Sequence, residues 1–187
     1  MRIISGDYKG KKIFEPNDNT TRPLKDLTKE SIFNIIQHSN KFNVQLKNSH
    51  VLDLFSGVGS FGLECLSRGS SFVTFVENYE KVVPILKKNI QNLKLQKKSF
   101  IIEKDIFNNY DLFFFEKKFD IIFIDPPYKE KNLILLLEKI IKFRILNKNG
   151  IIIIHRHKKE NDQYPYKFKV VEEKTYGISK IIFGFCF

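Results

Sequence analysis

From residue 50 onward, short apolar runs alternate with amphipathic stretches. The runs 51–54, 72–77, 100–103, 119–124 and 151–155 are rich in Val, Ile, Leu and Phe and too short for helices, so they predict strands. Between them, 59–67, 80–93, 106–116 and 130–144 carry apolar residues at helical spacing. This alternation predicts an α/β fold in which a parallel sheet is covered on both faces. The end of the chain breaks the pattern. Residues 166–172 and 180–187 are strand-like, with no helix between them and a turn around Thr175-Tyr176-Gly177-Ile178-Ser179. They predict an antiparallel hairpin added to the sheet edge.

The beginning of the chain differs again. Residues 2–14 hold two short apolar-bearing stretches, 3–5 and 12–14, around Gly6 and Gly10, which predict a small hairpin. After a polar loop over 15–23, Leu24, Leu27, Ile32, Phe33, Ile35 and Ile36 recur at helical spacing over 24–38. The polar stretch 39–49 then divides the chain into an N-terminal hairpin-helix extension, 1–48, and an α/β domain, 49–187.

The length of 187 residues suits a domain with a sizeable core. No apolar run approaches a membrane span, and the basic start of the chain has no apolar h-region, so neither a membrane segment nor a signal peptide is expected. Cys65 and Cys186 follow no spacing pattern, which points to free thiols in a reducing, cytoplasmic compartment. The charge changes the picture. A net charge of +11, from 32 Lys and Arg against 21 Asp and Glu, favours a polyanionic partner held through its phosphates. A codon bias toward AT explains why lysine outnumbers arginine, but not the excess of base over acid. Arg2, Lys9, Lys11, Lys12, Arg22, Lys25 and Lys29 are concentrated in the extension and are the candidate nucleic-acid contacts. Lys87, Lys88, Lys94, Lys97 and Lys98 read instead as a solvated face.

Two constellations carry candidate chemistry. In Val51-Leu52-Asp53-Leu54-Phe55-Ser56-Gly57-Val58-Gly59, continued to Gly62, a strand, a glycine turn and a helix start follow one another. Glu77 follows Gly57 by about twenty residues, the spacing of a ribose-binding acid. The glycines alone permit a dinucleotide or S-adenosylmethionine (SAM). Asp53 separates the two: a carboxylate beside the turn repels a pyrophosphate and attracts the ammonium of SAM. Phe55, and Asp105 with Ile106 after the third strand, complete the candidate cofactor set. Asp105 suits the adenine amine and Ile106 the ring.

The second constellation is Asp125-Pro126-Pro127-Tyr128, at the end of the fourth strand. An exocyclic amine is a poor nucleophile because its lone pair is delocalised into the ring. Two acceptors on its hydrogens, the Asp125 carboxylate and the Pro126 carbonyl, would aim that lone pair at an electrophile, with Tyr128 stacked on the base. The prolines stiffen the loop and remove donors. The pattern suits amine methylation, without separating guanine from adenine, cytosine or a glutamine amide. A non-catalytic RNA-binding module is disfavoured by the intact Asp53, Gly57, Gly59 and Asp125. A dehydrogenase is disfavoured by Asp53. His155 and His157, two apart on a strand, lack a third ligand, so no metal is expected.

Taken together, these residues resemble the RsmD-type methyltransferases of bacteria. Arg2-Ile3-Ile4-Ser5-Gly6 with Lys9-Gly10-Lys11-Lys12, then Arg22-Pro23, Asp26, Glu30 and Phe33-Asn34, and the closing Tyr176-Gly177 are the family-specific blocks; the SAM loop and Asp125–Tyr128 are shared more widely. The chain departs from the family at Leu24-Lys25, where a Thr-Thr pair is usual, at Leu27-Thr28-Lys29, where arginines are usual, and at His155, where an acid is usual. The resemblance implies a class I, Rossmann-like SAM-dependent methyltransferase fold with a seven-stranded, mostly parallel sheet. It also implies transfer of a methyl group from SAM to guanine N2 of 16S ribosomal RNA, with the RNA or the small ribosomal subunit as partner. A monomer is expected, although no residue pattern speaks to oligomeric state.

Overall fold

The computed structural model of the chain describes residues 1–16, 24–107, 115 and 117–187. Its elements in chain order are α1 (Asp26–His38), β1 (His50–Leu54), α2 (Ser60–Ser67), β2 (Phe72–Val76), α3 (Val83–Asn92), β3 (Ser99–Ile102), β4 (Phe119–Ile124), α4 (Leu133–Phe143), β5 (Leu146–His157), β6 (Phe168–Tyr176) and β7 (Ser179–Cys186). The strands form one sheet in the order β3-β2-β1-β4-β5-β7-β6. Pairing is parallel from β3 through β5 and antiparallel where β7 and β6 join the edge. Among the described residues, no helix is long and apolar enough to cross a membrane.

Both sheet faces are apolar because both are covered, as in other parallel sheets. Phe75, Phe123, Ile153 and Phe183 belong to one buried cluster, and Leu52, Ile122, Ile154 and Ile182 to the other. The extension shares the first cluster: Ile3, Ile13, Ile32 and Phe33 are essentially inaccessible and pack with Leu63 and Phe61. Phe33 and Phe61 stack at 5.2 Å, and Phe61 stacks on Phe123 at 4.0 Å, joining α1, α2 and β4 through three rings.

Several elements differ from expectation. The N-terminal hairpin is short: one antiparallel bridge, Arg2 with Lys12, is flanked by backbone bonds from Ile3 to Lys11, Gly10 to Ile3 and Ile13 to Met1, and side chains of α2 and α3 take the amides next to them. Glu64 accepts the Ile4 and Ser5 amides at 2.8 and 2.9 Å, and Asn89 exchanges two hydrogen bonds with the Phe14 backbone. The third helix begins at Val83 rather than 80, and Pro84 fits its first turn, where no amide donor is needed. β5 runs to His157, two residues past its apolar run, because β7 pairs with it as far as His157↔Ser179. Of the helix expected over 106–116, most lies outside the described residues.

Candidate active site

The order of the strands fixes where a ligand can sit. The chain moves outward from β1 to β2 and β3, then returns to place β4 on the other side of β1, so the crevice of this switch point opens between the carboxyl ends of β1 and β4. Leu54 and Ile124 pair in register there, and the Asp125 amide donates to the Leu54 carbonyl at 3.2 Å. The two motifs, far apart in sequence, thereby become adjacent walls of one cavity of about 760 Å³. Asp53, Phe55, Ser56 and Gly57 line one side; Asp125, Pro126, Pro127 and Tyr128 line the other. Glu77 and His155 close the flanks, and Met1, Glu15, Pro16 and Leu24 of the extension reach its rim.

Gly59 has a φ of 85° and caps α2, and a Cβ at Gly62 would stand 2.4 Å from the Phe75 ring. These two glycines let α2 lie against β2 and bring its first turn to the cavity. The Gly62 amide donates to Asp53 Oδ2 at 2.9 Å. Asp53 is buried, and burial pushes its carboxyl well above the usual carboxylate range; the Gly62 bond opposes this, while Asp125 and Glu77 add to it. Such a group is relieved by a cation. Phe55 takes a φ of 59°, unusual for an aromatic residue, and its ring meets Phe107 at 5.5 Å.

Glu77 is more heavily engaged than its sequence suggests. Its Oε2 accepts the Gly57 amide at 2.7 Å, and its Oε1 accepts the Asn78 and Tyr79 amides at 2.9 and 2.8 Å. Three of roughly four acceptor sites on the carboxylate are thus filled by backbone, which ties the glycine turn to the end of β2. Asp105 and Ile106 do not line the cavity. Asp105 Oδ1 accepts the Phe107 amide at 2.9 Å, and Ile106 packs in the second core cluster.

Sequence reasoning missed what the end of β5 contributes. His155 Nδ1 lies 2.8 Å from Asp125 Oδ1. Arg156, 1% exposed, donates to the Pro127 carbonyl at 3.3 Å and the Glu130 carbonyl at 2.8 Å while forming a two-bond fork with Asp162. The Pro127 carbonyl also accepts the Glu130 amide at 2.9 Å. Tyr128 meets the His157 ring edge-on at 5.2 Å. The available signal was position: Ile124 pairs with Ile154, so the next residues, Asp125 and His155, must leave neighbouring strands side by side.

Of the candidate nucleic-acid contacts, Arg2, Lys9, Lys11, Lys12 and Lys25 are exposed. Arg22 lies outside the described residues. Lys29 must be corrected: it is fully buried, and its ammonium bonds to the Arg2 carbonyl and Ser60 Oγ at 3.0 and 3.2 Å, so it holds the extension in place instead of facing a phosphate.

Among the described residues, two buried side-chain polar atoms have no hydrogen-bond partner, Ser56 Oγ and His155 Nε2, and both belong to cavity-lining residues. A buried carboxylate short of a cation and a hydroxyl short of a partner fit the amino-acid end of SAM, whose ammonium and carboxylate answer both.

The sheet order and the cavity at its switch point define a class I SAM-dependent methyltransferase. The chain belongs to the RsmD-type family: the family model described as "Conserved hypothetical protein 95" matches residues 1–184. It is 33% identical to ribosomal RNA small subunit methyltransferase D of Haemophilus influenzae, over 95% of this chain and 90% of that protein. It is 35% identical to the protein of the same name from Buchnera aphidicola of Acyrthosiphon pisum, over 92% and 86%. Among solved structures, protein HI0767 of Haemophilus influenzae superposes with a TM-score of 0.75 at 30% identity, over 98% of this chain and 96% of that one.

Proposed function

We propose that the protein transfers the methyl group of SAM to the exocyclic N2 amine of a guanine in small-subunit ribosomal RNA. The observation that carries this reading is that Asp53 and Asp125 line one cavity across the switch point, which supports a cation site beside an amine site. The names of the 33% and 35% identical relatives support ribosomal RNA as substrate.

Asp53 holds the cofactor's ammonium and Ser56 its carboxylate. Glu77 keeps room on Oε2 for one ribose hydroxyl, so a contact to both hydroxyls requires a backbone amide to give way. When bound, SAM supplies a sulfonium methyl that needs little further activation. Asp125 and the Pro126 carbonyl accept the two amine hydrogens and turn the nitrogen lone pair toward that methyl. The Pro127 carbonyl is already bonded to Glu130 and Arg156, so the loop's acceptor for the amine is that of Pro126. Transfer of that methyl would leave the nitrogen with one proton to give up, which we assign to Asp125. The target base must leave its stack to reach this depth, at a cost of a few kcal/mol. The exposed Arg2, Lys9, Lys11, Lys12 and Lys25 hold flanking phosphates.

The test is incubation with methyl-labelled SAM and small-subunit particles from a host lacking its own guanine-N2 enzyme, beside an Asp125→Ala control. Label is expected in N2-methylguanosine and absent from the control. Label in DNA or in a release factor, with none in ribosomal RNA, would keep the chemistry and sink the substrate.

A further inference from the structure

Asp125 and His155 leave neighbouring parallel strands at the same level, and Nδ1 of His155 stands 2.8 Å from Oδ1 of Asp125. An ionised carboxylate has no hydrogen to give, so the hydrogen of this bond sits on Nδ1. The other ring nitrogen fixes the remaining choice. His155 is 6% exposed, and its Nε2 is buried with no hydrogen-bond partner among the described residues. An imidazolium there would pair its charge with Asp125 through Nδ1, but it would leave a second buried N–H donor, on Nε2, without an acceptor, which costs more than burying a bare ring nitrogen. Tyr128 covers the ring edge-on at 6.2 Å.

We infer that His155 is a positioning residue: a neutral imidazole whose Nδ1–H fastens Oδ1 of Asp125 and leaves Oδ2 as the oxygen offered to the methyl-accepting amine. This rests on the reading of Asp125 as the amine's acceptor. A carboxylate on a loop can turn about its last torsion and present either oxygen; one directional donor removes that freedom before substrate arrives. The same geometry sets a limit on the role. With Nε2 sealed from solvent, His155 has no route by which to pass a proton on, so it orients Asp125 and does not relay from it. Arg156, the next residue, reaches the same loop through the Pro127 and Glu130 carbonyls, so the end of β5 grips the loop by its acid and by its backbone.

Two measurements test this. In the protein labelled with ¹⁵N-histidine, with the His155 signals assigned by their loss in His155→Asn, Nδ1 is expected protonated and Nε2 bare at neutral pH, and Asp125→Ala is expected to abolish that preference. An Nε2–H tautomer or an imidazolium overturns the proposal. This arm needs no RNA: if the wild-type protein methylates no ribosomal RNA, the substrate reading falls while the tautomer still decides this one. The second arm compares His155→Asn, whose amide nitrogen takes the place of Nδ1, with His155→Leu, which has similar bulk and no donor. With small-subunit particles, His155→Leu is expected to lower kcat roughly ten- to a hundredfold, and His155→Asn to recover most of that loss. The particle KM and the SAM Kd stay the same in both. His155→Leu as active as wild type, or His155→Asn as poor as His155→Leu, overturns it.

Discussion

Nζ of Lys29 lies 3.6 Å from Oε2 of Glu64, and both side chains are fully buried where α1 crosses α2. Glu64 also receives the Arg68 guanidinium at 2.8 Å and the Ile4 and Ser5 amides. The extension is therefore docked by a charge network as well as by its apolar residues. Burial lowers the Lys29 pKa, and Glu64 and Asp26 work against that. Removing Glu64 leaves the buried ammonium with Asp26 alone, at 4.0 Å, as its charge partner among the described residues, whereas removing Lys29 leaves Glu64 paired with Arg68 and two amides. Glu64→Gln is expected to cost about 3–5 kcal/mol in urea unfolding, Lys29→Met less, and the double substitution less than their sum. Additive losses would mean that the two charges do not sense one another.

Asp53 gives a pH prediction whose sign can be worked out. Its folded-state pKa is raised, so between the ordinary carboxylate value and the raised one the folded protein holds a proton that the unfolded chain has lost. Stability without cofactor falls as pH rises through that window. A bound ammonium favours the ionised form, so SAM affinity is expected to rise over the same window, with a proton released on binding. Calorimetry in buffers of different ionisation enthalpy reads this release. Asp53→Asn should abolish it and weaken binding by about 1.5–3 kcal/mol. Proton-neutral binding by the wild type would mean that Asp53 does not meet the ammonium.

The parallel order and the two motifs were legible because each is local: an apolar run, a glycine turn, an acid at a strand end. The grip on the Asp125–Tyr128 loop was not. His155 closes the predicted strand 151–155 and Arg156 follows it, but their partners, Asp125, Pro127 and Glu130, are set by strand register and by the path of the loop across the sheet edge. Lys29 misled for a related reason. A lysine in a basic segment reads as a surface charge, and its burial depends on Glu64, which lies on another helix. Glu77 was found as an acid at the right spacing, but its three amide donors belong to turns whose geometry no spacing rule describes.

The exposed lysines of the extension make a separable prediction. Lys11→Glu with Lys12→Glu should weaken binding of small-subunit RNA and flatten the plot of log affinity against log salt by about one unit for each phosphate no longer neutralised. Lys97→Glu with Lys98→Glu, in the turn that precedes β3, should change the slope less. Equal effects from both pairs, read by filter binding across a salt series, would reduce the extension to a diffuse contribution of net charge.

Arg156 should matter to rate more than to binding. Its guanidinium is fixed by Asp162 through bonds of 2.9 and 2.8 Å, which leaves its remaining hydrogens aimed at the Pro127 and Glu130 carbonyls. A lysine keeps the charge but cannot form that planar fork and span both carbonyls. Arg156→Lys is therefore expected to lower kcat roughly tenfold by loosening the loop that carries Asp125, with the SAM Kd unchanged because Asp53, Ser56 and Glu77 stand on other elements. Asp162→Asn, which removes the anchor's charge but keeps one acceptor, should fall between Arg156→Lys and wild type. Equilibrium SAM binding measured beside single-turnover methyl transfer separates the cases. A matching loss in both would show that the clamp shapes the whole cavity, whereas a loss in transfer alone locates its effect at the loop.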